Sequence, residues 1–232
     1  MSLRRECVEI LKQAVPAVLP SLLLCDFGNL EKEIELLEEA GVAALHLDVM
    51  DGVFVPNFTY GMTIVSALRK LTDLPLDVHL MMVHPEKYVE QFYEAGADII
   101  TVHAEATQDA PALMQQITDL GAAAGIAVNP DTPVTDIEAA LPFADLALVM
   151  SVHAGFGGQK FIEPVLEKYE QIRSLPGGED VLLEIDGGIN VDTIARATDH
   201  GAQLLVAGSA VFKKDNYSDA IAELMSEVNV TS

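Results

Sequence analysis

Short apolar runs alternate with amphipathic segments along the chain. The runs 17–24, 44–50, 75–81, 98–104, 125–129, 146–152, 181–186 and 203–207 are nearly continuous in Val, Ile, Leu and Ala. Continuous apolar character, rather than alternation, is what a strand buried on both faces requires. Between them, 29–40, 62–71, 86–95, 110–123, 134–140, 162–174, 191–200 and 217–228 carry apolar positions at helical spacing. The segment 29–40 puts Leu30, Ile34 and Leu37 on one face and acids on the other. EEAGVAALHLDV, YEAGADIITVHAE and TDHGAQLLVAGS each read as helix end, glycine, strand. The glycine suits the left-handed residue that stops a helix.

Eight strand–helix units predict an α/β fold, a single closed (β/α)₈ TIM barrel over 17–232. An open doubly wound sheet needs fewer strands, and no GxGxxG follows the first run. Residues 1–16 form an N-terminal extension, and CVEILKQAV within it predicts a helix closing the bottom of the barrel.

Composition narrows the setting. A length of 232 residues, half of them apolar, fits one large domain with a sizeable core. Cys7 and Cys25 are the only cysteines, which predicts a reducing, cytoplasmic location rather than a disulfide framework. Arg4 and Arg5 are followed by Glu6, Glu9 and Lys12, which interrupt any signal-peptide apolar region. The apolar runs are too short to span a bilayer. A net charge of −23 argues against nucleic acid and anionic membranes as partners. It would also repel a phosphorylated substrate, so a phosphate must be held locally by backbone N–H groups.

In such a barrel, chemistry sits at the C-terminal ends of the strands. His46, Asp48 and Met50 alternate along the second run, His79 and Met81 share a face of the third, and Asp186 ends the seventh. Two imidazoles and two carboxylates make a mixed N/O shell for one divalent ion per subunit, with Zn, Fe, Mn and Co all compatible. A metal beside two acids suits proton removal and return next to a carbonyl. The metal stabilises the charge of an enediolate, one Asp removes the proton, and the other returns one on the opposite face. Met50, Met81 and Met150 either line that intermediate or pack the core. His84 and His200 read as loop or helix-end residues, and His103 as a structural residue or part of the mouth. Gly155, Phe156, Gly157 and Gly158 follow the sixth run, Gly187 and Gly188 the seventh, and Gly208 and Ser209 the eighth. Three glycine-bearing loops side by side predict a backbone-built phosphate site. None of the eight lysines falls on a predicted strand, which excludes a Schiff-base aldolase. HLDVMDG also lacks the lysine between aspartates of a related decarboxylase pattern.

PSLLLCDFGNL, HLDVMDGVFVPNFTYG, LPLDVHLMM, AGADIITVHAEA, VMSVHAGFGGQKFIEPVLEK, IDGGIN and VAGSAVF resemble the ribulose-phosphate 3-epimerase family from about Pro20 to Phe212. The resemblance implies a metal-dependent barrel of the ribulose-phosphate-binding type. Its activity would interconvert D-ribulose 5-phosphate and D-xylulose 5-phosphate in the pentose phosphate pathway. By position it implies His46, Asp48, His79 and Asp186 as metal ligands, Asp48 as proton acceptor and Asp186 as donor, with roles exchanged in reverse. Ser21 and His79 would contact substrate, as would Asp186 and the three glycine loops. Family members often form homo-oligomers. Two departures from the family pattern, Leu24-Cys25 and His153-Ala154, leave the metal set intact but bear on substrate preference. They keep open a 3-epimerase of a hexulose 6-phosphate such as D-allulose 6-phosphate. A catalytically silent sugar-phosphate-binding barrel is the alternative from a different class.

Overall fold

The computed structural model of the chain describes residues 5–156 and 158–228. Eight strands run through it: β1 Ala17–Pro20, β2 Leu45–Met50, β3 Leu76–Met81, β4 Ile99–His103, β5 Ala123–Val128, β6 Leu146–Met150, β7 Leu182–Asp186 and β8 Leu204–Ala207. All pair in parallel, in the order β1-β8-β7-β6-β5-β4-β3-β2. A single parallel bridge from Ser21 to His46 joins the two ends, so the sheet is a nearly closed barrel. The helices are α1 Cys7–Ala14, α2 Leu30–Glu39, α3 Met62–Leu71, α4 Val89–Ala95, α5 Ala110–Leu120, α6 Glu167–Arg173, α7 Ile194–Asp199, α8 Ser209–Phe212 and α9 Tyr217–Ser226.

Every residue of β1 to β6 and of β8 is buried, as the unbroken apolar runs require. The period of two splits each strand between two cores. Leu45, Leu47, Val49, Leu76, Val78 and Leu80 belong to the outer core shared with the helices. Ala17, Leu19, Ile99, Ala123, Leu146, Leu182 and Leu204 fill the interior of the barrel, and Cys7, Val8 and Leu11 of α1 join them. Most of these interior residues open their strands, so α1 packs against the N-terminal end. Each buried aliphatic side chain stabilises the fold by about 1.5–3 kcal/mol relative to exposure. The three repeated glycines do turn the chain left-handed after a helix, with φ of +72° at Gly41, +122° at Gly96 and +104° at Gly201.

Element bounds differ from the sequence reading where side chains compete with the backbone. The first apolar run extends to residue 24, but β1 stops at Pro20. Ser21 Oγ accepts from Leu23 N–H, and Leu22–Leu24 forms a 3₁₀ turn. The expected helix 134–140 is only a 3₁₀ turn, Val134–Ile137, before a second turn that contains Pro142; proline has no N–H with which to continue a helix. The expected helices 86–95 and 162–174 each begin with a 3₁₀ turn holding a proline, Pro85–Lys87 and Glu163–Leu166. The short helix α8 directly after β8 is absent from the sequence reading.

Candidate active site

Barrel closure sets the site by register. Asp48 on β2 pairs with His79 on β3, His46 with Asp77, and Met150 on β6 with Asp186 on β7. These side chains alternate with outward aliphatic ones, so they face the interior at the C-terminal end. His46 Nε2 lies 3.5 Å from Asp48 Oδ1. His79 Nδ1 lies 3.2 Å from the same oxygen and 3.9 Å from Asp186 Oδ2. One ligand atom from each of these four residues falls within 4.8 Å of the others. His46 Nε2 is buried and has no hydrogen-bond partner. A buried polar atom without a partner is costly unless something else satisfies it. Two imidazole nitrogens and two carboxylates are a donor set that a divalent cation would satisfy, so these residues fit one.

Beneath this set lies a row of polar groups that the sequence reading missed. His46 Nδ1 is 2.6 Å from Asp77 Oδ2 and 3.4 Å from Glu184 Oε1. Donation from Nδ1 to Asp77 fixes the ring so that Nε2, the nitrogen left for an ion, points toward Asp48. Asp77 stands two positions before His79, and Glu184 two before Asp186. The same strand period that joins His46 to Asp48 therefore placed both acids on the inner face. His103, read as structural or mouth-lining, is fully buried at the end of β4, with Nε2 2.8 Å from His79 Nε2.

Burial and charge divide the two aspartates. Burial works to raise the Asp48 carboxyl, but the His46 charge and the close contacts with the His46 and His79 rings outweigh it and hold it well below the usual range. Burial pushes the Asp186 carboxyl up to about 7, and the neighbouring Asp48 charge adds to the rise. Burial alone would lower His46, yet the Asp77 and Asp48 charges keep it well above the usual imidazole range. Burial lowers His79 to about 4, so that ring is neutral. Glu184 is driven well above the carboxylate range, first by burial and then by the Asp77 charge. Glu105 is held down at about 2. Burial opposes this, but contacts from His103, Thr132 and the Asn129 N–H outweigh it.

Above the aspartates opens a cavity of about 230 Å³. Ser21, Met50, Met81 and Met150 line it with Asp48 and Asp186, and so do Gly155, Phe156, Gly158, Gly187, Gly188, Gly208 and Ser209. Gly157 lies outside the described residues. His46 and His79 are fully buried and do not reach the cavity surface. Ser21 Oγ donates to Asp48 Oδ2 at 2.6 Å. No Lys or Arg lines the cavity among the described residues. Leu24 and His153 are on its wall, whereas Cys25 is turned into the outer core. Asn57 Nδ2 donates to the Gly155 carbonyl at 2.9 Å, tying the loop after β6 to the one after β2. Gly187 takes φ +120°, and a Cβ there would lie 2.6 Å from Val152 Cγ2. Gly187→Ala is therefore expected to destabilise the fold by about 1–3 kcal/mol and to displace Asp186. A denaturant midpoint within error of the unsubstituted chain would contradict this.

The profile of the Ribulose-phosphate 3 epimerase family matches residues 17–212. The chain belongs to this family. It is 48% identical over 210 residues to the ribulose-phosphate 3-epimerase of Bacillus subtilis, covering 89% of this chain and 97% of that one. With the Synechocystis enzyme of the same name it shares 50% over 209 residues, or 88% and 91% of the two chains. The chloroplastic ribulose-5-phosphate-3-epimerase of Arabidopsis thaliana is 47% identical over 208 residues, 88% of this chain and 74% of that one. Among solved structures, a 3-hexulose-6-phosphate synthase superposes with a TM-score of 0.68 at 16% identity, over 92% of this chain and all of the other. At that identity the likeness bears on the fold alone, and it agrees with the eight-stranded barrel. No helix among the described residues is long and apolar enough to cross a membrane.

Proposed function

We propose that this chain is a metal-dependent isomerase that interconverts D-ribulose 5-phosphate and D-xylulose 5-phosphate by moving the proton at C3. The observation that carries the reading is the pair Asp48 and Asp186. They share one cluster with two buried imidazoles, and their protonation states are held apart. His46, Asp48, His79 and Asp186 would hold the ion; zinc, iron, manganese and cobalt all suit two nitrogens and two carboxylates. When bound, the cation supplies Lewis-acid stabilisation of the negative charge that develops on the substrate oxygens.

The protein's own groups do the rest. In the ribulose-to-xylulose direction Asp48, ionised, takes the C3 proton. Asp186, which holds a proton up to about pH 7, delivers one to the opposite face. Ser21 steadies Asp48 through its 2.6 Å hydrogen bond. Met50, Met81 and Met150 give the planar intermediate a polarisable, dry lining. Backbone N–H groups around Gly155, Gly158, Gly187, Gly188, Gly208 and Ser209 take the phosphate, as an acidic protein whose cavity has no Lys or Arg among its described lining residues requires. Residues 17–232 are the catalytic barrel, α1 closes its lower end, and the setting is cytoplasmic.

Leu24, His153 and Ala154 on the cavity wall are the features that bear on a longer, six-carbon ketose phosphate; Cys25 is buried behind it. The pentulose reading is favoured because the relatives named above carry that name at 47–50% identity. Incubation with D-ribulose 5-phosphate and a divalent metal in D₂O is expected to yield D-xylulose 5-phosphate carrying deuterium at C3. Absence of both product and label would refute the proposal. A higher kcat/KM for allulose 6-phosphate would move the assignment to the hexulose.

A further inference from the structure

His79 and His103 meet through their Nε2 atoms at 2.8 Å. A contact that short between two imidazole nitrogens needs one N–H and one lone pair. Two hydrogen-bond registers satisfy it. In the first, His79 carries its proton on Nδ1, toward Asp48 Oδ1 at 3.2 Å, and His103 donates from Nε2. In the second, His79 donates from Nε2, its Nδ1 lone pair faces Asp48 and Asp186, and His103 carries its proton on Nδ1. Only the second register leaves His79 able to ligate an ion.

At the near end the second register sets a lone pair against Asp48, a contact that a bound cation would relieve, and the far end of the pair then decides. His103 Nδ1 lies 3.2 Å from Glu105 Oε2 and 3.3 Å from Asn129 Nδ2. In the first register its lone pair accepts from the Asn129 amide but faces a carboxylate oxygen, which is repulsive; in the second an N–H donates to that carboxylate, and this shorter, charge-assisted bond outweighs the longer one to the neutral amide. The carboxylate is pinned in place. Its Oε1 accepts from the Asn129 backbone N–H at 2.9 Å and from the Thr132 hydroxyl. The loop that carries these donors is held in turn by Lys168 Nζ, which donates to the Asn129 and Thr132 carbonyls at 2.8 and 2.6 Å.

We infer that His103 and Glu105 are positioning residues: through a two-imidazole relay, Glu105 sets the tautomer of His79 and so keeps its Nδ1 lone pair open to a divalent ion. This rests on the metal-dependent reading above. It extends to His79 the support that Asp77 gives His46 directly. Carboxylates that orient metal-binding histidines usually touch the ring themselves; here a second histidine stands between.

Glu105→Gln tests the relay. The Asn129 and Thr132 donors hold the amide carbonyl, so its NH₂ faces His103 Nδ1. That enforces the first register. Zinc affinity, measured by competition with a chromophoric chelator, is expected to fall about 10- to 100-fold, with the metal-free circular dichroism unchanged. Thr132→Val, which keeps the carboxylate, should shift affinity far less. Long-range ¹H–¹⁵N spectra of the unsubstituted zinc-loaded protein read the tautomers directly, even if the variant fails to fold. Protons on His79 Nε2 and His103 Nδ1 are expected. The opposite tautomers, or a folded Glu105→Gln protein with unaltered zinc affinity, would overturn the relay and leave the metal site standing. Failure of the unsubstituted protein to bind zinc, manganese, iron or cobalt would overturn the metal reading itself.

Discussion

Asp48→Asn and Asp186→Asn are each expected to lower turnover of D-ribulose 5-phosphate by about 10³-fold or more, toward the upper range for removal of a general acid or base. Asparagine keeps the shape and one oxygen ligand but cannot carry the proton. The two variants should fail differently. With Asp186 replaced, Asp48 still reaches C3 of ribulose 5-phosphate from its own face. That substrate should exchange its C3 hydrogen for deuterium without becoming xylulose 5-phosphate. With Asp48 replaced, exchange should survive in xylulose 5-phosphate and vanish in ribulose 5-phosphate. Metal content, measured alongside, separates loss of a proton carrier from loss of the ion. Near-normal turnover in either variant would sink the role given to that residue.

The second large effect is the stability that a divalent ion confers, and its dependence on pH. At a thousandfold excess of metal over Kd the gain is about 4 kcal/mol. For a domain of this size that is about 10 °C in Tm. The sign of the pH dependence follows from Asp186. Its carboxyl is raised in the folded metal-free protein from the usual 3.8 to about 7. The folded state thus holds the proton more tightly than the unfolded chain. This contribution is fully present below about pH 4 and is lost as pH rises through about 7. An ion would compete for the Asp186 carboxyl and weaken its hold on the proton it later donates, and it must displace the proton that His46 holds beside Asp77 and Asp48. Metal affinity and the metal-induced rise in Tm are therefore expected to be larger at pH 8 than at pH 5.5. Thermal melts with and without zinc at the two pH values check this. A Tm rise independent of pH would show that no proton leaves when the ion binds.

Much of this architecture is legible in the linear pattern. Strands buried on both sides of a barrel wall read as unbroken apolar runs, so all eight were visible, and α3 was placed residue for residue at 62–71. His46, Asp48, His79 and Asp186 stood out because each interrupts such a run with a group that apolar surroundings penalise. Less was visible where the decisive contact joins distant segments. Asp77 and Glu184 lie on the same inner face as His79 and Asp186, yet their pairing with His46 depends on β3 and β7 meeting it across the barrel. The 3₁₀ turns around Pro85, Pro142 and Pro164 were hidden because apolar spacing does not report a missing N–H.

By itself the sequence determined the strand order in the chain, the face that His46, Asp48 and Met50 share and the one that His79 and Met81 share, and the residue types available at the strand ends. These follow from local periodicity and need no knowledge of neighbours. The tertiary structure alone decided which inner side chains touch. Closure through Ser21 and His46 sets the register around the ring. That register put a serine on Asp48, an acid on each side of His46 Nδ1, and a second histidine between His79 and Glu105. Proton positions, and hence the division of labour between the two aspartates, depend on burial and on charges a few ångströms away, and those distances exist only once the barrel has closed.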